Sequence, residues 1–523
     1  MKFAWAFAWA TVILAAFAVT ALPATIIVPD DISQIQDAVT ASAAGDTILV
    51  RPGVYKGPGN RGIDFQGKVI ALVSECGPEE TIIDCEGQAM GVIMIRDETE
   101  ETRLEGFTIQ NGAGRYCGGI WLGGSSPTIA RCIIRGCTST WHGGGINCDS
   151  ASPTITDCII LGNQAPYKGG GGLYCQFRSA PVIENSIFRS NQGGAIYCVK
   201  SNSITITDSV VENNHDGGIV LFNTQAAISG CTITGNEFVN GGGIFVSDSD
   251  STITNCIIAN NRVNGLGGGV YVAYNACTIT NCTITGNFGG LGGGISATCS
   301  AAPIVTNTIL WNNKSNDADE IYVGDFLSSS TCTISYSVIG GGIDSVVVKP
   351  GCRIYWGDGL IDADPVFVDP AAADYHIPFV SPCRSAGSRS APALPDCDFE
   401  GDPRLGMSLC PDIGADEFHT RLYVNGKIAQ GETATGIIVG WPLTSPVVLI
   451  TGTGVRPEPL ITPYGVLWML PPWQYRGHLN PIPDTGIRRI PWMISSMLPP
   501  GTEIPVQALV GTYLTNLWIL RFE

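Results

Sequence analysis

TITNCTITGN at 278–287, followed by GGGIS at 292–296, is the stretch on which the fold turns. Near copies stand at 154–163 (TITDCIILGN), 227–236 (AISGCTITGN) and 252–261 (TITNCIIANN), each followed by a glycine run and a short apolar strand. Between residues 107 and 337 the pattern returns about ten times, roughly every 25 residues, in strand-like pieces without helical periodicity. A repeat of that length predicts a solenoid whose coils stack on one another.

Each regular coil parses into three strands. The first is GGGIYV-like. The second is TIT-like and ends in a polar corner at Asp157, Asn185, Asp208, Asn255, Asn281 and Asn307. The third is CTI-like and ends at Asn163, Asn191, Asn214, Asn236, Asn261, Asn287 and Asn313. Asparagine tolerates turn conformations, and its amide can bond its own copy about 4.8 Å away, so this last column reads as a structural asparagine ladder. Ile155, Ile183, Ile206, Ile228, Ile253 and Ile279 form an inward aliphatic stack. No helix pattern follows the glycine runs, which therefore do not read as phosphate loops.

The chain has 523 residues, 66 of them glycine, with 14% charged residues and a net charge of −18. That balance argues against nucleic acid or an anionic membrane as partner. Neutral or cationic ligands suit it, and an anionic polymer would need a bridging cation. Residues 1–24 read as a secretory signal: Lys2, an apolar run over 3–20, then Ala21 and Ala24. An uncleaved anchor is the alternative, since the run approaches spanning length. The expected location is extracellular or at the cell surface.

Nineteen cysteines in an exported chain raise the question of disulfides. Cys132, Cys158, Cys231, Cys256 and Cys282 share one column with Ser186, Ser209 and Thr308. Cys148, Cys175 and Cys198 share another with Leu221, Val246 and Val272. Such replacements mark inward, space-filling thiols. Disulfides are expected instead off these columns, between Cys76 and Cys85, or between Cys397 and Cys383 or Cys410.

The expected organisation is an all-β chain with four parts. A leader occupies 1–24, and a parallel β-helix occupies 25–352. An Asp- and Pro-rich closing region follows at 353–418, then a small C-terminal β domain at 419–523 that holds Trp441, Trp468, Trp473, Trp492 and Trp518. Ile32, Ile35 and Val39 recur at helical spacing after an Asp cap, which predicts one short helix covering the open end of the stack.

The repeat resembles the right-handed parallel β-helix proteins of the pectate-lyase-like superfold over roughly 25–380. IFRSNQGGAIYC (187–198) is similar to the FxxN and GGA[ILV] repeats of chlamydial polymorphic outer-membrane proteins. ADPVFVD (363–369), SPCRSAGS (381–388) and DFEGDPRLG…PDIGADEF (398–418) resemble the closing region of exported bacterial β-helix proteins, with Arg384 and Ser385 departing from the usual wording. The resemblance is specific for fold and weakly specific for activity.

In sugar-cleaving relatives the substrate lies along the first sheet, here the GGGIYV strands. Alternation turns Trp121, Asn147, Tyr174, Tyr197, Val220, Phe245, Tyr271, Ser296 and Tyr322 outward. The aromatic members Trp121, Tyr174, Tyr197, Phe245, Tyr271 and Tyr322 are the candidate ligand-binding residues, provided that loops leave them open. Preceding loops bring His142, Lys168, His215, Asp216, Glu237 and Arg262 near the stripe; beyond it come Asp149, Lys200, Asp248 and Asp250.

A lyase would need carboxylates on Ca²⁺ and a base, and a hydrolase would need paired carboxylates. Asp216 and Asp248 are the candidate cation ligands; His215 and Lys200, with the same two aspartates, are the catalytic candidates. Scattered loop charges of this kind are more often merely solvated. The acidic groups Asp362, Asp364, Asp396, Asp398, Asp402, Asp412 and Asp416 serve either as turn formers or as Ca²⁺ ligands. No cofactor is evident, and these loops could bind Ca²⁺. The leading expectation is a surface-associated protein binding carbohydrate or a cell-surface partner without catalysis. The alternative is a diverged polysaccharide lyase or glycosidase on the same sheet. An autotransporter passenger fits less well, because about 105 residues after the closing region are few for a membrane barrel with strands of about 9–11 residues.

Overall fold

A computed structural model describes residues 22–418 apart from 168, 325–327, 379 and 405–409; past residue 420 it describes only the backbone of strands. The expected leader, up to residue 21, and Lys168 lie outside the described residues.

The repeat winds into a parallel β-solenoid with three long sheets. The first sheet has 12 strands, from Ile63–Asp64 to Val346–Val348. The second has 14, from Thr25–Val28 to Arg353–Trp356, and the third has 12, from Gly53–Tyr55 to Val338–Ile339. Fourteen rungs at about 4.8 Å make a rod roughly 60 Å long. This is longer than ten coils because the irregular early segments and Arg353–Trp356 also pair in register.

Stacking places each column over its copy. Ile155 pairs in sequence with Ile183, Ile206, Ile228, Ile253 and Ile279, and all are within 1% of full burial. One apolar core runs from Val28 to Cys352. The cysteine columns lie inside it as buried thiols. The off-column pairings do not form: Cys85 and Cys383 carry free thiols in the apolar interior, while Cys76 and Cys397 are free and exposed.

The asparagine ladder forms as expected. Asn214 Nδ2 donates to Asn236 Oδ1 at 2.9 Å, Asn236 Nδ2 to Asn261 Oδ1 at 3.0 Å, and so on to Asn313. Each amide also donates to a backbone carbonyl of the preceding coil. The last glycine of most regular runs packs against this ladder: a Cβ on Gly243 would lie 2.7 Å from Gly269 O and 3.0 Å from Asn261 Nδ2.

The capping helix spans Ile35–Ala41 and buries Ile35, Ala38 and Val39 in the solenoid core. Its N-cap is Gln34 without a side-chain bond, not an aspartate. Asp31, the expected cap, instead accepts from Ile27 N at 2.8 Å.

The polar corner does more than turn the chain. Asp157, Asn185, Asp208, Asn255, Asn281 and Asn307 take φ values of 46 to 54°, a left-handed conformation that Asn and Asp tolerate. The three downstream asparagines also hold the closing segment, which doubles back over their coils. Asn281 Nδ2 donates to Asp412 O (3.0 Å), Asn307 Nδ2 to Ser388 O (3.0 Å), and Asn255 Oδ1 accepts from Arg404 Nη2 (2.7 Å). Past residue 420 the strands pair antiparallel, beginning with Arg421–Asn425 against Thr433–Val439. The side chains of the five C-terminal tryptophans lie outside the described residues.

Candidate functional site

The register confirms the outward column on the first sheet: Tyr174 pairs with Tyr197, Tyr197 with Val220, Val220 with Phe245 and Phe245 with Tyr271. The rings stack into a second ladder outside the core. Centroids lie 4.4 Å apart from His142 to Tyr174, 5.9 Å from Tyr174 to Tyr197, and 5.0 Å from Phe245 to Tyr271. Val220 would interrupt it, but Phe222, two residues on and also outward, reaches 5.9 Å from Tyr197 and 4.7 Å from Phe245. His142, expected as a loop residue, is thus a buried rung of this stack.

The stripe is not, however, a continuous open surface. Tyr174, Phe245, Tyr271 and Tyr322 are only 4–8% exposed. Loops entering the first sheet pair into a short fourth sheet of Glu237–Phe238, Arg262–Val263, Phe288–Gly289 and Lys314–Ser315. Phe238 and Leu266 from these loops pack on Val220, Phe245 and Tyr271 in a separate outer apolar cluster. Tyr271 also bonds Thr298 through its hydroxyl at 2.8 Å, and Lys349 Nζ lies 5.5 Å from the Tyr322 ring centre. Trp121 and Tyr197 remain half-buried.

Cover depends on loop length. Between the ladder asparagine and the first-sheet strand, the loops after Asn191 and Asn214 are short, reaching Ile196 and Ile219, whereas those after Asn163 and Asn236 run on to Leu173 and Ile244. Two short loops between longer ones leave a gap, and there lies a pocket of ≈ 440 Å³. Tyr174, Tyr197 and Val199 line it from the sheet; Pro166 and Tyr167 line it from the long loop before. Phe238 and Asp216 come from the following coils. Burial pushes the Tyr174 phenol up to about 12 and raises that of Tyr197, so both stay neutral hydrogen-bonding groups at ordinary pH.

The charged candidates divide. Asp216 lines the pocket. His215 beside it faces Glu237 at 3.5 Å in an exposed pair. Lys200 and Asp248 stand at the opposite, departing ends of first-sheet strands, at left-handed corners with φ of 53 and 55°. Asp216 and Asp248 were expected to share a cation; the strands Ile219–Phe222 and Ile244–Ser247 separate them, because one precedes and the other follows the sheet. Neither belongs to a group of three potential metal ligands among the described residues. Arg262 covers the Phe288 ring at 4.4 Å.

Pro166, Tyr167, Val199 and Phe238 lie outside the columns named from the sequence: Pro166 and Tyr167 belong to an aperiodic loop, and Phe238 to the short fourth sheet. The loop lengths were the available signal.

Three parallel sheets, an internal asparagine ladder and a loop-framed pocket on the first sheet define a right-handed parallel β-helix protein. A family model described as right handed beta helix region matches residues 70–238, 144–313 and 217–355. Together these matches span more than half of the chain, which belongs to that family. No curated protein matches it. Among solved structures, the enzymatically active domain of bacteriophage CBA120 tailspike protein 2 is 11% identical with a TM-score of 0.34, over 93% of this chain and 73% of that one. The A-module of Azotobacter vinelandii mannuronan C-5 epimerase AlgE4 is 15% identical with a TM-score of 0.29, over 63% of this chain and 90% of that one.

Proposed function

We propose that this chain is an exported, surface-associated protein that binds a carbohydrate chain in the pocket over Tyr174 and Tyr197, without cleaving it. The pocket itself carries the reading. Its size falls within the usual range for ligand sites, and aromatic faces with neutral phenols suit the apolar faces and hydroxyls of sugar rings. The net charge of −18 favours a neutral saccharide over an acidic one. Among the described lining residues Asp216 is the one carboxylate, while glycosidic hydrolysis in its usual form employs two, about 5–9 Å apart. The leader-like 1–24 supports export.

The test is a panel of neutral and acidic polysaccharides, with and without Ca²⁺, assayed for binding and for new chain ends. Binding without cleavage, weakened at least tenfold by Tyr197→Ala and by Tyr167→Ala, is expected. Failure of the whole panel to bind, or unchanged affinity in both variants, would overturn the pocket reading. Release of products with a 4,5-unsaturated end would establish a lyase in its place.

A further inference from the structure

We infer that the closing segment holds one divalent transition-metal ion, of the zinc class, between His376, Glu400 and Asp416. The three residues come from separate turns of the segment, and one ligand atom from each lies within 4.8 Å of the others. This group is remote in sequence from the pocket and independent of its function.

His376 is prepared as a ligand. Its Nδ1 lies 2.5 Å from Asp374 Oδ1, and a carboxylate there holds the Nδ1–H tautomer and turns the Nε2 lone pair away from it. Nε2 is sealed from solvent and makes no hydrogen bond, although Glu400 Oε2 stands 3.1 Å away. Two lone-pair atoms at that separation repel unless a proton or a cation lies between them.

The third ligand is buried. Asp416 is 4% exposed, and its Oδ2 accepts from Ile377 N at 2.8 Å. A carboxyl group at such depth either stays protonated or is balanced by a nearby positive charge. The nearby buried cation, Arg404, directs its hydrogen bonds to Asn255, to the carbonyls of Gly414 and Ala415, and to Glu417. None goes to Asp416.

One imidazole and two carboxylates suit Zn²⁺, Co²⁺ or Mn²⁺ better than Ca²⁺, which takes six to eight oxygens. A separation near 3.1 Å also fits ligands placed about 2 Å from a shared centre. An ion here would tie three turns of the segment that covers the polar corner.

The experiment uses the full chain, stripped with chelator and titrated with Zn²⁺ and with Co²⁺. The expected result is one equivalent bound, a higher melting temperature on loading, and at least tenfold weaker binding in His376→Gln and Glu400→Gln. The Co²⁺ spectrum should lack a thiolate charge-transfer band, which separates this site from the exposed thiols of Cys76 and Cys397. Glu400→Gln removes a charge at a partly exposed position, and its metal-free melting temperature reports whether it folds like the parent. No saturable binding by the stripped parent, a thiolate band, or unchanged affinity in both variants would overturn the assignment. A protonated His376 paired with Glu400 would then account for the geometry.

Discussion

Glu320 closes the asparagine ladder at Asn313. Asn313 Nδ2 donates to Glu320 Oε2 at 2.5 Å and Asn313 N donates to Oε1 at 3.2 Å. Glu320 stands in the column held by Gly294 and Gly269 in earlier coils, where a Cβ points at the ladder amide. The next coil brings no asparagine to this position, and the carboxyl group takes its place as acceptor.

Burial pushes the Glu320 carboxyl from 4.5 up to about 8 against those hydrogen bonds. The folded state therefore keeps a proton that the unfolded chain releases. Its contribution is complete below about pH 4.5 and is lost as pH rises towards 8, with a slope of up to about 1.4 kcal/mol per pH unit. Glu320→Gln cannot titrate, so the stability difference between parent and variant should change across this window. Urea unfolding at pH 5, 6.5 and 8 measures it, and a constant difference would contradict the shift.

Inside the ladder, Asn236 donates to Val211 O and Asn261 Oδ1 and accepts from Asn214 N and Nδ2. Asn236→Ala leaves several of these buried groups unpaired, at about 1–3 kcal/mol each, for a total loss of roughly 3–6 kcal/mol. Denaturant unfolding should show it. Asn313→Ala, with Glu320 still present, tests whether the end rung is cheaper than a middle one.

Arg404 is fully buried and forks onto Asn255 Oδ1 through Nε and Nη2. Burial lowers its pKa, and the surrounding carboxylates, Glu417 first among them, oppose this. Arg404→Lys cannot reproduce the fork and should cost about 3 kcal/mol or more. Limited proteolysis should then cut within 357–418 while the solenoid over 70–355 stays whole. Simultaneous digestion of both would place Arg404 in the stability of the entire rod.

The free thiols divide by exposure. Cys76 and Cys397 should react rapidly with a thiol reagent in the native protein, and Cys76→Ser/Cys397→Ser should remove that fast phase. The interior thiols, such as Cys117 and Cys175, are buried and held well above the usual thiol pKa by desolvation; they should react only on unfolding. A reductant-dependent shift in melting temperature would reveal a disulfide and contradict this.

Loop length is itself testable. Inserting four or five residues between Asn191 and Ala195, to match the long loop after Asn163, should cover Tyr197 and abolish saccharide binding without replacing a pocket ring. Far-ultraviolet circular dichroism should be unchanged, because long surface insertions are tolerated.

The columns were readable because a coil stacked on its copy must set like on like: Ile155, Asn163 and Tyr174 each announce their neighbours above and below. The outward direction of Tyr174, Tyr197, Phe245 and Tyr271 was equally readable, from strand alternation alone. Their burial was not, since the cover comes from Phe238 and Leu266, in loops whose lengths differ from coil to coil. The corner asparagines read as turn formers, and they are; their second role, holding Asp412 and Ser388, depends on a segment more than 80 residues downstream.

By itself, then, the sequence determined the solenoid, its inward stacks, the asparagine ladder and the face on which ligands are to be sought, because repetition converts local pattern into long-range register. Only the tertiary structure decided which aromatic rings stay open, that Asp216 and Asp248 stand apart, and that His376, Glu400 and Asp416 converge. Those outcomes rest on contacts between aperiodic segments, where nothing in one stretch of chain dictates the position of another until both are packed.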